Sequence, residues 1–243
     1  MVAPLVFNKN TILKHTKIKY SKLYYSTRCF SKSANNQLSN GALPSKELES
    51  ILIGLILSDA SLYRSSPTSN TRLEMSFGQA YKEFAYFIGE LLSPYASNPV
   101  KSVNIKVKDK VYTNYRLKTK TLPLFNHYFD MFYKLDANSG KYIKIVPENI
   151  KELMDPVVLA YLIMGDGNFD KGRNRVRIYT NCFIKQEVEE LALSINNNLG
   201  IYTGVLHDRN DQWILTIGAK NLELLRNTVS PYFHSSMLYR IGL

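Results

Sequence analysis

The sequence has few cysteines and no long apolar run, and each absence excludes a class of protein. Its 243 residues include only two cysteines, Cys29 and Cys182, too few for a disulfide scaffold or a cysteine-based zinc site. The longest apolar runs, near residues 51–57 and 157–164, are too short to span a bilayer, so we expect no membrane-embedded segment. A hydrophobic content of 45% nevertheless predicts a folded chain, with one large domain or two small ones.

Acidic residues are absent from the start of the chain. Residues 1–46 contain eight Lys or Arg residues and no Asp or Glu, so the rest of the chain contributes only +3 to the formal net charge of +11. A basic, hydroxyl-rich segment of this kind is typical of mitochondrial targeting, and residues 28–31 (RCFS) resemble a matrix-protease cleavage site. We therefore predict that residues 1–45 are a basic leader with a linker and that the protein is mitochondrial. A basic arm that holds nucleic acid and an unfolded stretch of upstream reading frame are the alternatives.

The remaining sequence repeats one pattern twice. Apolar residues at helical spacing predict a helix over residues 47–59, and a second apolar run over residues 157–164 follows Asp155 and Pro156, which suit a helix start. Both helices are followed by strand, strand, helix, strand, strand and helix patterns. We therefore predict an α+β fold of two pseudo-symmetric αββαββα halves, residues 46–145 and 146–243, with the two repeated helices packed at the centre.

Each repeated helix ends in an acidic residue within a turn of small residues. The segments are residues 52–60 (LIGLILSDA) and residues 159–167 (LAYLIMGDG). They resemble the two copies of the motif that names the LAGLIDADG homing endonucleases, and the spacing is similar to that of the single-chain branch with two motifs. Two departures stand out: Tyr161 replaces the usual small residue at the third motif position, and Ala60 replaces the usual final glycine. Tyr161 predicts a looser or offset contact between the helices.

The two acids suggest metal-dependent chemistry. Two helices packed side by side would bring Asp59 and Asp166 together, and neighbouring carboxylates repel unless a cation lies between them. Hard cations such as Mg²⁺, or Mn²⁺, bind carboxylate and water oxygens and can promote phosphodiester hydrolysis. An acid is unfavourable at a helix C-terminus, so simple helix termination explains two of them poorly. The candidate metal-binding positions are Asp59 and Asp166 with Ser58, Ala60 and Gly165.

Two basic residues complete the predicted catalytic set. The resemblance implies that Lys144 matches a lysine that precedes the second motif, and that Arg240 matches its counterpart near the end of the second half. Their implied role is to orient water or to stabilise phosphate charge beside the catalytic Asp59 and Asp166. Solvated surface charge is the alternative for both.

Basic residues alternate with apolar ones in two predicted sheets, which would form β-saddles in the DNA major groove. Residues 101–120 contain seven basic residues against a single acid, and residues 173–177 contain three arginines in alternation. The candidate DNA-binding residues are Lys106, Lys108, Arg116, Lys118, Lys120, Arg173, Arg175 and Arg177. An ordinary solvated sheet face is the alternative.

The sequence thus predicts a monomeric, site-specific endonuclease that cuts double-stranded DNA at a long recognition site and serves mitochondrial group I intron homing. An RNA-binding maturase, which would assist the splicing of a group I intron with the same fold, is the main alternative. A DNA-binding protein without catalysis is a third hypothesis.

Overall fold

The computed structural model describes residues 44–96 and 100–243. The predicted leader, with its predicted protease-cleavage site at residues 28–31, lies outside these ranges. The helices are α1 (Lys46–Leu57), α2 (Lys82–Leu91), α3 (Leu124–Phe132), α4 (Ile150–Leu153), α5 (Pro156–Asp166), α6 (Lys185–Leu199) and α7 (Leu222–Val229). The strands are β1 (Ser61–Arg64), β2 (Thr71–Gly78), β3 (Val100–Val107), β4 (Lys110–Lys118), β5 (Tyr133–Leu135), β6 (Tyr142–Lys144), β7 (Gly167–Asp170), β8 (Arg175–Ile178), β9 (Gly204–His207) and β10 (Trp213–Ile217). None of these helices is long and apolar enough to cross a membrane.

The order αββαββα occurs twice, which confirms the predicted α+β fold. The first sheet has the strand order β1-β2-β4-β3 and the second has the order β7-β8-β10-β9, with antiparallel pairs throughout. The β5–β6 hairpin and the short helix α4 lie between the two repeats. The boundary between residues 145 and 146 stays a prediction.

Each four-stranded sheet has one face toward the core and one open face. In β2 the apolar side chains Leu73, Met75 and Phe77 are buried, and the alternating positions between them are partly or fully exposed. Val176 and Ile178 are buried in β8 in the same way. This period-two pattern leaves the polar side chains of both sheets on the open faces.

The two central helices are buried on all sides, as their nearly continuous apolar sequences require. Ser45 caps α1 by accepting a hydrogen bond from the Leu48 amide, and Asp155 caps α5 by accepting one from the Val158 amide. The second Asp155 oxygen accepts a hydrogen bond of 2.6 Å from the Ser50 hydroxyl on α1. Asp155 therefore joins the start of α5 to the first turns of α1.

The contact between α1 and α5 is close, which corrects the looser packing predicted from Tyr161. A β-carbon on Gly54 would lie 2.7 Å from the Tyr161 β-carbon, so the glycine makes room for the base of the larger side chain. At the seventh motif position the glycine belongs to the other helix: Gly165 of α5 packs against Ser58, which directly follows α1. Each of these two symmetric contacts thus pairs one glycine with one larger residue.

Substitution of Gly54 should separate the helices. We expect Gly54→Ala to lower the free energy of unfolding by about 1–3 kcal/mol, because the added methyl group meets Tyr161 and the Val158 carbonyl. This loss outweighs the better helix propensity of alanine. Urea unfolding would measure the change. Gly218→Ala is the control, since a β-carbon there meets open space, and equal effects of the two substitutions would contradict the close contact.

Candidate active site and nucleic-acid surface

The paired helices bring the two predicted catalytic acids to one end of their interface. Asp59 lies two residues after the end of α1, and Asp166 is the last residue of α5. Their neighbours Ser58 and Gly165 are in contact across the helix pair. The charge of Asp59 acts on Asp166, and those of Lys144 and Arg240 act on both acids, so the four residues form one electrostatic cluster.

The two predicted basic residues anchor the two motif ends in matching ways. Lys144 donates a hydrogen bond of 2.9 Å from Nζ to the Ser58 carbonyl, beside the end of α1. Arg240 donates a hydrogen bond to the Gly167 carbonyl, beside the end of α5. A cation at a helix C-terminus interacts favourably with the helix dipole. Both residues are half-buried, so they differ from freely solvated surface charges.

The local environment shifts the pKa values of the acids upward. Burial and, to a smaller extent, the charge of Asp59 together raise the pKa of Asp166 to about 7, against the opposing charges of Lys144 and Arg240. The pKa of Asp59 is also raised, against the charges of the same two cations. Although the Asp59 side chain is exposed, the surrounding protein removes enough water to disfavour its charged form. Burial lowers the pKa of Lys144, while Cys182, Asp166 and Asp59 oppose this effect. A carboxylate pair with raised pKa values gains from a bound cation, which stabilises both charges.

A cavity of about 210 Å³ opens beside Asp59. Its lining includes Ser76 on the open face of the first sheet, Tyr81 and Arg240. The Arg240 guanidinium lies 5.3 Å from the ring centre of Tyr81 and 5.7 Å from that of Tyr239, so two aromatic rings flank it. Arg240 Nε is buried and has no hydrogen-bond partner within residues 44–96 and 100–243.

The donor set fits a hard divalent cation that also takes oxygen ligands from water and phosphate. Within residues 44–96 and 100–243, no group of three or more His, Cys, Asp or Glu residues could hold a metal ion by itself. The carboxylates of Asp59 and Asp166 remain as candidate ligands. Mg²⁺ sites often combine one or two carboxylates with substrate phosphates. The Ser58 hydroxyl donates its proton to the Gly54 and Leu55 carbonyls, and Ala60 and Gly165 have no polar side chain. A metal-binding role for Ser58, Ala60 and Gly165 stays a prediction.

Only part of the predicted basic set lies on the open face of the first sheet. Arg116 and Lys118 of β4 are exposed there, because they alternate with the buried Tyr115 and Leu117. Lys106 pairs with Val111, and this register places it on the opposite face of the sheet. Lys108 and Lys120 are not in strands: Lys108 has a positive φ of 53° in the turn after β3, and Lys120 follows the end of β4. The prediction that Lys106 and Lys108 form one strand face was therefore wrong.

The second sheet differs from its prediction in a similar way. Arg173 lies in a 3₁₀ turn before β8, so the strand face contains Arg175 and Arg177 without it. The turn forms because the Asp170 side chain accepts a hydrogen bond from the Arg173 amide. Asp170 also binds Arg175 Nε at 3.1 Å and Arg177 at 3.0 Å.

Acids and tyrosines that were not among the predicted site residues lie beside the basic residues. Glu74 contacts Arg72 and Lys118 on the first sheet, as Asp170 does its two arginines on the second. Strand alternation could have placed Glu74 with Arg72, because residues two apart in a strand share a face. No sequence signal places Tyr81 next to Arg240, since these residues meet only in the folded chain.

Comparisons with known proteins agree with this architecture. A model of the LAGLIDADG DNA endonuclease family matches residues 49–225. The cytochrome b mRNA maturase bI2 of Saccharomyces cerevisiae is 25% identical over 200 residues, which cover 79% of this chain but 47% of that relative. The chain thus spans about half the length of the yeast maturase. The intron-encoded endonuclease ai4 of Dictyostelium discoideum is 31% identical over 141 residues, covering 58% of this chain and 83% of that relative.

A solved structure shares the fold over most of its length. The homing endonuclease I-WcaI, solved bound to its DNA recognition sequence, has a TM-score of 0.74 and 24% sequence identity, and the match covers 87% of this chain and 92% of that one. The fold and the paired acids at the ends of the two central helices are those of a single chain that contains two copies of the LAGLIDADG motif. The chain belongs to the LAGLIDADG DNA endonuclease family.

The raised pKa of Asp166 predicts a pH-dependent stability. The folded value of about 7 exceeds the ordinary 3.8, so the stabilisation is complete below about pH 4 and is lost as the pH rises through about 7. Asp166→Asn cannot ionise, so its free energy of unfolding without metal should exceed that of the wild type at pH 8 and approach it at pH 4. Urea unfolding in EDTA at both pH values would measure this, and a difference that does not change with pH would contradict it.

Proposed function

We propose that the protein is a site-specific endonuclease that cuts both strands of DNA with Mg²⁺ or Mn²⁺ in mitochondrial group I intron homing. The observation that carries this proposal is the electrostatic cluster of Asp59, Asp166, Lys144 and Arg240 at the end of the central helix pair. It lies between two sheets whose open faces present basic side chains. The membership of the family supports the same reaction class.

In this mechanism each acid serves one scissile phosphate, and both would hold the cation. A bound Mg²⁺ or Mn²⁺ supplies Lewis acidity toward the phosphodiester and its attacking water. Lys144 and Arg240 keep positive charge beside the reacting groups through their hydrogen bonds to Ser58 and Gly167. They would stabilise the charge that develops on phosphate oxygens.

The two basic residues differ in what they can do with a proton. Burial lowers the pKa of Lys144, which favours its exchange of a proton with water or a leaving group. A guanidinium is a poor proton carrier, so Arg240 would act through electrostatics. The two half-sites are therefore not chemically equivalent.

A single chain contains both acids, so one copy has a complete catalytic pair, and we propose that the protein acts as a monomer. Its partner would be double-stranded DNA with a long recognition site, because two sheets can follow the major groove over successive turns. The acid-free basic leader supports a mitochondrial location.

Removal of either acid should abolish cutting. The full chain with Mg²⁺ is expected to linearise plasmid DNA that carries candidate intron-insertion sites from mitochondrial DNA. Asp59→Asn and Asp166→Asn should each lower the rate of double-strand cutting by more than about 100-fold, because each removes charge that the metal and the transition state require. Agarose gels of supercoiled, nicked and linear plasmid report the result.

Glu189→Gln is the matched control for this experiment. It makes the same change of charge on α6, where Glu189 pairs with Lys185 on the helix surface. It should cut like the wild type. Cutting by both aspartate variants at the wild-type rate would exclude the proposed active site.

A maturase role is the second candidate, and the yeast relative named a cytochrome b mRNA maturase supports it. In this case the protein should bind group I intron RNA tightly and accelerate its splicing. Asp59→Asn and Asp166→Asn should leave RNA affinity unchanged, because RNA binding does not require the carboxylate pair. Filter binding and a splicing assay with intron RNA would measure this. Splicing support without DNA cutting would favour the maturase, and weak, non-selective RNA binding would exclude it.

A further inference from the structure

Each open sheet face contains one acid bound between two basic side chains. The first ion-pair cluster is Glu74 with Arg72 and Lys118, and the second is Asp170 with Arg175 and Arg177. Acids on a surface that must approach phosphates weaken its attraction for DNA. Their presence on both faces therefore needs an explanation other than affinity.

The second cluster holds its arginines in fixed positions. The side chains of Asp170, Arg175 and Arg177 are only 21%, 19% and 23% exposed. In the sheet register, Arg177 lies between Asn168 of β7 and Thr216 of β10. Its Nε is buried and has no hydrogen-bond partner in the part of the chain that the structure describes. A buried donor without a partner costs stability, so stability alone does not account for this arrangement.

The first cluster also joins one acid to two basic side chains, but it is more open, because the Arg72 and Lys118 side chains are 30% and 53% exposed. Glu74 binds Arg72 on its own strand and Lys118 at 3.2 Å on β4, and the Arg72 guanidinium lies 4.2 Å from the ring centre of Tyr63. By contrast, Lys101 and Arg116 are exposed and form no ion pair with any residue that the structure describes. The open faces therefore present two kinds of basic side chain: those that an acid holds in an ion pair, and those without such a pair among the described residues.

We propose that Glu74 and Asp170 are specificity-determining residues, which hold the basic side chains of their clusters for readout of base edges and reduce binding to arbitrary DNA. A fixed guanidinium can form directional hydrogen bonds with a guanine edge, whereas a free one binds phosphates of any sequence. The carboxylates also cancel charge that would otherwise contact the backbone. This inference rests on the proposed DNA recognition and assigns the sequence preference to two acids.

Selection from a pool of random DNA duplexes tests the inference without any need for cleavage. The wild-type full chain would select its preferred sequence in the absence of metal. Affinities for that duplex, for its single-base variants and for unrelated duplex would then be measured for each variant. Asp170→Asn is the main variant, because the amide keeps an oxygen that can accept the hydrogen bond from the Arg173 amide while the charge is lost.

We expect Asp170→Asn to bind unrelated duplex about three- to tenfold more tightly, with a salt dependence steeper by about one unit of log K against log salt. Discrimination against substitutions should fall about tenfold at a few neighbouring base pairs. Asp170→Glu, which keeps the charge, should stay nearer the wild type. Glu74→Gln should cause the same loss at a different group of base pairs, and it carries the test if Asp170→Asn does not fold in a thermal melt.

Glu189→Gln is again the control for a change of net charge away from the sheets. If Asp170→Asn and Glu74→Gln keep the wild-type preference and salt dependence, as the control should, the inference is wrong while the proposed function stands. If the wild type enriches no sequence, the proposed site-specific recognition fails together with the inference.

Discussion

The close contact between α1 and α5 is the constraint on which the rest of the structure depends. It requires a glycine at one member of each symmetric contact, Gly54 against Tyr161 and Gly165 against Ser58. Because both helices end at this interface, the same packing brings two acids together and places one four-stranded sheet after each helix. The geometry of the candidate site is therefore a direct result of helix packing, and a change in the helix contact changes the site.

The carboxylate pair that this contact creates is electrostatically unfavourable by itself. Two carboxylates lie at helix C-termini, where the dipole is negative, and burial raises the pKa values of both. Lys144 and Arg240 offset part of this cost through hydrogen bonds to the carbonyls at the same helix ends. A divalent cation and the phosphates of a nucleic acid would offset the rest of this cost.

The ion pairing of basic side chains on the sheets supports the proposed separation of affinity from specificity. Exposed cations such as Arg116 attract any polyanion, whereas Arg175 and Arg177 are fixed and partly neutralised by Asp170. Residues 1–46 contribute +8 of the formal net charge of +11, and residues 47–243 have nearly equal numbers of acids and bases. The arrangement of charge on the sheet faces, more than its total, therefore explains how this fold could select a nucleic-acid sequence.

The sequence by itself determined the local elements and the motif. Helical spacing, the cap at Asp155, and the repeated acid at the end of each apolar helix are local signals, and they predicted the αββαββα order and the pair of acids. Strand register and long-range contacts were not local. The position of Lys106 depends on its pairing with Val111, and the ion pairs of Asp170 depend on the turn before β8. Only the tertiary structure decided these features, because the face and the partners of a side chain depend on which distant strand pairs with its own.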